Sequence, residues 1–131
     1  MQANNRSVVP FSYLVTSASI AASGQQQVNL TLQTDSFFEL QAFQGSSSLD
    51  ADTDFMPNNF SVQITDQSTG RQLSSGKVPQ RLYCGPANQS VLERIRIVFP
   101  PQASLLFDFT NLDAGNANVV SFVLKGYKHL V

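Results

Sequence analysis

The chain is predicted to be all-β: an antiparallel β-sandwich of about eight strands, arranged as a jelly roll, with little or no helix. Three observations predict it. Apolar residues recur at every second position over seven separate stretches, the period of a strand and not of a helix. Turn-forming residues separate those stretches at short intervals. Ten Phe residues and no Trp supply the bulk that fills the space between two facing sheets.

The stretches follow in order. Phe11, Tyr13 and Val15 fall two apart, as do Val28, Leu30 and Leu32, then Phe38, Leu40 and Ala42, then Phe60, Val62 and Ile64. Further on, Ile95 and Ile97 alternate with Arg94 and Arg96, and Leu105, Phe107 and Phe109 alternate around Asp108. Val120, Phe122 and Leu124 close the series, with Ser121 among their outward partners. Each set places its apolar side chains on one strand face and its polar partners on the other, the pattern of half-buried antiparallel strands. Between them lie Ser23-Gly24, Gly45 to Ser48, Pro57-Asn58-Asn59, Asp66 to Gly70, Gly85-Pro86, Pro100-Pro101 and Asp113 to Asn116. These supply positive φ, fixed φ or side-chain bonds to the backbone, and each suits a chain reversal. Residues 86–93, with Asn88 or Ser90 as a cap before Val91 and Leu92, are the one place for a short helical turn.

The 131 residues fit one ordinary domain. Area scaling gives roughly 7,000 Å² folded against roughly 21,000 Å² extended, so a real core forms without disulfides or metal. The expected organisation is a flexible N-terminal arm over 1–9 and a single sandwich domain over 10–131. The arm is polar, lacks alternation and ends at Pro10; such a segment orders against a neighbour. Residues 46–59 form the longest expected loop, a candidate for contact.

Composition excludes several classes. With 42% hydrophobic and only 13% charged residues, about half the usual charged share, the chain is neither a charged coiled coil nor disordered by charge. The polar remainder is mostly Gln, Asn, Ser and Thr. A net charge of -1 and scattered basic residues, with Arg94 and Arg96 the one close pair, give no stripe for nucleic acid. The single cysteine, Cys84, excludes an intrachain disulfide and a multi-cysteine zinc site. The first residues carry no secretory pattern, and no window reaches the roughly 18 apolar residues of a membrane helix. The expectation is a protein with neither a nucleic-acid nor a membrane partner.

Few residues offer chemistry. Asp50, Asp52 and Asp54 reproduce the opening spacing of a calcium loop, but Phe55 and Ser61 stand where an EF-hand needs Gly and Glu. They are expected to form a solvated acidic loop. His129 is the single histidine, placed near the C-terminus where fraying works against orientation, and no G-x-S-x-G elbow accompanies it. Cys84 is expected to be a small buried hydrophobe. Glu39 and Glu93, the only glutamates, alternate with apolar neighbours and are expected to face solvent, not to act as a glycosidase pair. No phosphate-binding glycine loop occurs. Sequons at Asn5, Asn29, Asn59 and Asn88 are about what nine Asn among 23 Ser and Thr produce by chance. A sugar-binding sandwich would have to use Tyr13, Tyr83 or Tyr127, the only tyrosines, and the ten Phe residues are core formers. The expectation is therefore no catalytic, cofactor-binding or metal-binding residue, and no enzyme.

The layout resembles the small virion structural proteins of tailed bacteriophages. The residues that carry the resemblance are the strand led by Pro10-Phe11, the Asp66-Gln67-Ser68-Thr69-Gly70 hairpin, and Pro100-Pro101. The end of the chain carries most of it: Phe107-Asp108-Phe109-Thr110-Asn111-Leu112, a loop over Ala114 to Asn118, and Phe122-Val123-Leu124-Lys125-Gly126-Tyr127-Lys128. The resemblance implies a non-enzymatic capsid decoration or cement protein, often a jelly roll, seated on the virion surface between major capsid protein subunits. It also implies self-association as a dimer or trimer and assembly in the bacterial host cytoplasm. The alternative within the same resemblance is a head-fibre, tail or glycan-binding module.

Overall fold

Nine antiparallel strands make up the described part of the chain: β1 (Val8–Thr16), β2 (Gln25–Thr31), β3 (Ser36–Ser47), β4 (Phe60–Asp66), β5 (Arg71–Gln72), β6 (Val78–Pro79), β7 (Val91–Phe99), β8 (Ser104–Asn111) and β9 (Val120–Leu130). This computed structural model describes residues 7–47, 60–79 and 91–131, and for 46, 47, 78, 79 and 91–96 the backbone alone. One sheet has the order β1-β9-β3-β7; the other has β2-β8-β4, with β5 and β6 sharing the outer edge of β4. The first strand thus pairs with the last, the second with the next to last, and so inward to the β4 hairpin. That nested pairing is the jelly roll expected from the alternation.

All seven predicted stretches are strands, and the core lies where their apolar sets meet. Phe38, Phe43, Phe60, Phe99, Phe107, Phe109 and Phe122 are fully buried. Phe122 links the sheets: its ring centroid lies 5.5 Å from Phe43 in its own sheet and 6.1 to 6.3 Å from Phe107, Phe60 and Phe109 across the gap. Most of these contacts are tilted or edge-on, the arrangements ring quadrupoles favour.

Two expectations change. Val91 and Leu92 belong to β7 and not to a helical turn, because that segment pairs with Ala42 and Phe43 of β3. Ala42 is buried but does not share the inward face of Phe38 and Leu40. Leu40 stands opposite Gly126 and Ala42 opposite Lys125, leaving Gln41 as an extra residue on β3. This β-bulge shifts the strand's phase by one, so Phe43 points inward in place of Ala42. Gly126 makes the bulge possible: a methyl group there would sit 1.9 Å from the Glu39 carbonyl oxygen and 3.1 Å from the Phe38 ring.

The boundaries also move. β1 begins at Val8, so Val8 and Val9 of the expected arm are paired with His129 and Lys128; residues 1–6 lie outside the described residues. β3 runs through Ser47, which leaves 48–59 of the long loop outside them. Flanking β1 at its two ends, the Leu130 N–H donates to Ser7 O and the Ser17 N–H to Val120 O. Odd-numbered residues of β1 therefore bond to β9, and Val8, Pro10, Ser12, Leu14 and Thr16 direct their backbone groups to the free edge. Pro10, which has no N–H, occupies one of those edge positions.

Hydrogen bonds close the two ends of the sandwich. At one end the Asn111 side-chain amide donates to the carbonyls of Ile20, Ala21 and Asn116 at 2.9 to 3.2 Å, while its Oδ1 accepts from the Asp113 N–H. At the other, Lys128 turns inward and is 5% exposed. Its Nζ bonds the Gln33 side chain, lies 3.2 Å from Asp35 and stands 4.0 Å from the centre of the Phe11 ring. A hydrogen bond from the Ser36 hydroxyl holds the Asp35 carboxyl below its ordinary value of 3.8; partial burial pushes the other way, and the Lys128 ammonium lowers it further.

Two outcomes follow from these contacts. Gly126→Ala forces the β3 backbone away from β9 and costs about 3 kcal/mol or more, read as a fall in the urea midpoint; an unchanged midpoint contradicts the close approach. Asp35, whose folded pKa is depressed, contributes stability that is present above the ordinary carboxylate range and is lost as pH falls through it. Asp35→Asn therefore flattens the acid limb of a Tm-against-pH curve below about pH 4, and parallel curves for the two proteins refute the coupling.

Candidate interaction face

The outer faces of the two sheets differ in chemistry. On the sheet led by β2, the outward residues are Gln25, Gln27, Asn29 and Thr31 on β2, Leu106, Asp108 and Thr110 on β8, and Gln63 and Thr65 on β4. The one ion pair described on this face joins Asp108 to Lys77 at 3.4 Å. It is an amide- and hydroxyl-rich surface.

The outer face of the β1-β9-β3-β7 sheet is mixed, with exposed apolar side chains set among Ser12, Thr16, Ser121, Lys125, Glu39 and Gln44. Val8 is 51% exposed, Leu14 61%, Tyr127 42% and Val98 43%. Pro10 stands beside Tyr127, Val123 beside Leu14, and Phe37 beside His129 on the same face. They span four strands, with Ser12 and Lys125 between the Pro10–Tyr127 and Leu14–Val123 pairs and Glu39 beside Val98. The strand sequences themselves carry the signal. β1 reads Tyr13-Leu14-Val15, β3 reads Phe37-Phe38 and β9 reads Phe122-Val123-Leu124, apolar in both phases, as strands covered on both faces do. β2 alternates cleanly because its second face is polar, whereas β8 carries the apolar triplet Leu105-Leu106-Phe107 with Leu106 facing outward.

The bulge shapes this surface. A shallow groove of about 320 Å³ opens over Gly126, lined by Pro10, Ser12, Gln41, Lys125 and Tyr127. Pro10 and Tyr127 form one wall as a cross-strand pair, and Ser12 and Lys125 the other. Beside it, His129 Nε2 and Glu39 Oε1 are 2.9 Å apart, and the Gln41 amide donates to the second Glu39 oxygen.

The residues singled out by sequence are distributed as follows. His129 is held between Val8 and Phe37 in the inner strand β9, so the expected fraying does not occur. Glu39 is bonded to His129 and Gln41 and does not simply face water. Among the described residues His129 bonds Glu39 and no Ser or Thr hydroxyl. Tyr13 is buried, 6% exposed, with its hydroxyl accepting from the Gln33 N–H at 3.1 Å, which removes it from any surface site; Tyr127 is exposed. Asn29 lies exposed on β2. Asp50, Asp52, Asp54, Tyr83, Cys84, Asn5, Asn59 and Asn88 lie outside the described residues, as do the side chains of Glu93, Arg94 and Arg96. No three His, Cys, Asp or Glu side chains among the described residues are grouped to hold a metal ion.

No family model matches the chain, and no curated protein matches it. Among solved structures, the chain is similar to the Drosophila NLP core, at 9% identity and a TM-score of 0.39 over 88% of this chain and 96% of that one. It is similar to dimeric latent PorU from Porphyromonas gingivalis at 10% identity and 0.35, spanning 92% of this chain and 13% of that one. It is also similar to VP2 of the infectious bursal disease virus subviral particle at 10% identity and 0.36, spanning 98% of this chain and 38% of that one.

Proposed function

We propose that this chain is a non-enzymatic virion structural protein that stabilises a phage capsid by binding between major capsid protein subunits, docked through the outer face of the β1-β9-β3-β7 sheet. One observation carries the proposal: the outer face of this sheet exposes Val8, Leu14, Val98 and Tyr127, whereas the outer face of the other presents mainly Gln, Asn and Thr. Large apolar side chains cost solubility when bare and gain free energy when covered, about 25 cal/mol per Å² of apolar area removed from water. The amide-rich opposite face suits solvent or wet, modest contacts. Cementing a shell needs no chemistry: a stiff module that binds the assembled state and not the dissociated one stabilises it by mass action. The expected self-association as a dimer or trimer and the virion-surface location belong to the same proposal.

A second reading, a head-fibre, tail or glycan-binding module, is favoured by Tyr127 alone, exposed beside the Gln41 and Ser12 side chains.

Quantitative mass spectrometry of purified particles separates the two. A cement protein is present on the order of hundreds of copies per particle, as a closed symmetric shell requires; a handful of copies favours the tail or fibre. Leu14→Asp, at a position already 61% exposed, leaves the unfolding free energy from urea titration within about 0.5 kcal/mol of the parent and abolishes recovery in particles. Undiminished recovery of this variant rules out the face.

A further inference from the structure

The edges of the two sheets carry devices that discourage strand addition, and β2 is the exception. Pro10 interrupts β1, Glu93, Arg94 and Arg96 place charge on β7, and the two-residue strands β5 and β6 cap β4; Pro, charge and short edge strands all act in this way. β2 runs for seven residues with an unbroken register to β8, and it contains neither Pro nor a charged residue. At its ends the Asn111 N–H donates to Gly24 O and the Leu32 N–H to Ala103 O, so the even-numbered residues bond to β8. Gln25, Gln27, Asn29 and Thr31 therefore direct their backbone N–H and C=O groups to the open edge. Among the described residues no backbone group meets them there. The inward row is left incomplete as well. Val28 and Leu30 pack against the core yet stay half-buried, because no strand lies beyond β2.

Resting on the self-association proposed above, we infer that two copies of the chain form a two-fold dimer in which their β2 strands pair antiparallel, centred on Val28. Only a register that sets odd residues opposite odd ones joins the free donors to the free acceptors. The register centred on Val28 does so and pairs the whole of Gln25–Thr31. On the outer face it sets Gln27 against Asn29, and Gln25 against Thr31, of the second copy. A charged strand paired with its own copy risks like charges face to face; these amides and hydroxyls repel nothing and bond across the ladder. On the inner side Val28 meets Val28 as a non-hydrogen-bonded pair, about 4.5 Å between Cα atoms, and each covers the exposed part of the other. Gln26, which falls opposite Leu30, already accepts from the Ala18 N–H at 2.8 Å within its own copy. The dimer joins the two amide-rich sheets into one and uses none of the outer face of the β1-β9-β3-β7 sheet.

Sedimentation of the purified full chain over a concentration series reads this dimer. Asn29→Pro removes a donor from the open edge and none from the β8 ladder; it raises the dissociation constant on the order of 100-fold, since each copy loses a bond and leaves a carbonyl unpaired. Gln25→Glu with Thr31→Lys sets opposite charges across the axis, and Gln25→Glu with Thr31→Glu sets like charges there. The two positions lie at opposite ends of β2, too far apart to meet within one copy. The like-charge variant dimerises on the order of 30-fold more weakly than the opposite-charge one, and added salt narrows the gap. A parent that stays monomeric, a trimer, or a dimer that Asn29→Pro leaves intact overturns the inference, as does an equal effect of the two charge variants. Where Asn29→Pro does not fold, the two charge variants decide. None of these results touches the capsid reading, which stands or falls on copy number and on Leu14→Asp, whereas a handful of copies per particle removes that reading and leaves a β2 dimer in place.

Discussion

The approach of Gly126 to the Glu39 carbonyl is the contact on which the rest of the structure depends. A side chain at 126 would hold the two inner strands of the β1-β9-β3-β7 sheet apart at this point. With Gly in place, β3 accommodates Gln41 as an extra residue, and everything beyond it on the strand changes face. Phe43 then reaches Phe122, which packs against Phe60, Phe107 and Phe109 of the opposite sheet. The same local irregularity leaves the groove on the outside. One backbone contact therefore sets both the centre of the core and the shape of the candidate interface.

The aromatic core is closed differently at its two ends. Asn111 ties three backbone carbonyls from two loops with one amide and returns a bond from Asp113. Lys128 does the corresponding work at the far end, its ammonium over the Phe11 ring and shared between Gln33 and Asp35. Both devices satisfy polar groups that a ring-filled interior leaves at its margins. They also explain why a chain with so few charged residues places one of its lysines inside.

Much of this was legible in the sequence, for a physical reason: a strand covered on one face prints its period directly. Phe107 and Phe109 around Asp108, and Val28 and Leu30 around Asn29, show the side that faces the core and the side that does not. The apolar residues of the outer face are harder to see, because Leu14, Phe37 and Val123 sit next to core residues. A pair such as Phe37-Phe38 fits either phase, and Ala42-Phe43 hides a bulge for the same reason. The roles of Gly126 and Lys128 come from strands distant in sequence. Lys128 looks like an exposed cation until the Phe11 ring and the Gln33 and Asp35 side chains are brought beside it. The Glu39 and His129 pair, 90 residues apart, is likewise a product of the β3 and β9 register.

Pro10 has one more consequence. A free strand edge is a template on which another chain can extend a sheet, and β1 presents such an edge with strongly apolar residues along it. At Pro10 the donor needed for that extension is missing, while pairing with β9 loses nothing, since that position turns its backbone the other way. A ring closure on one residue thus separates two kinds of stickiness. The flat face can adhere to a neighbour while the edge resists growing into a fibril, which matters most for a protein crowded beside copies of itself.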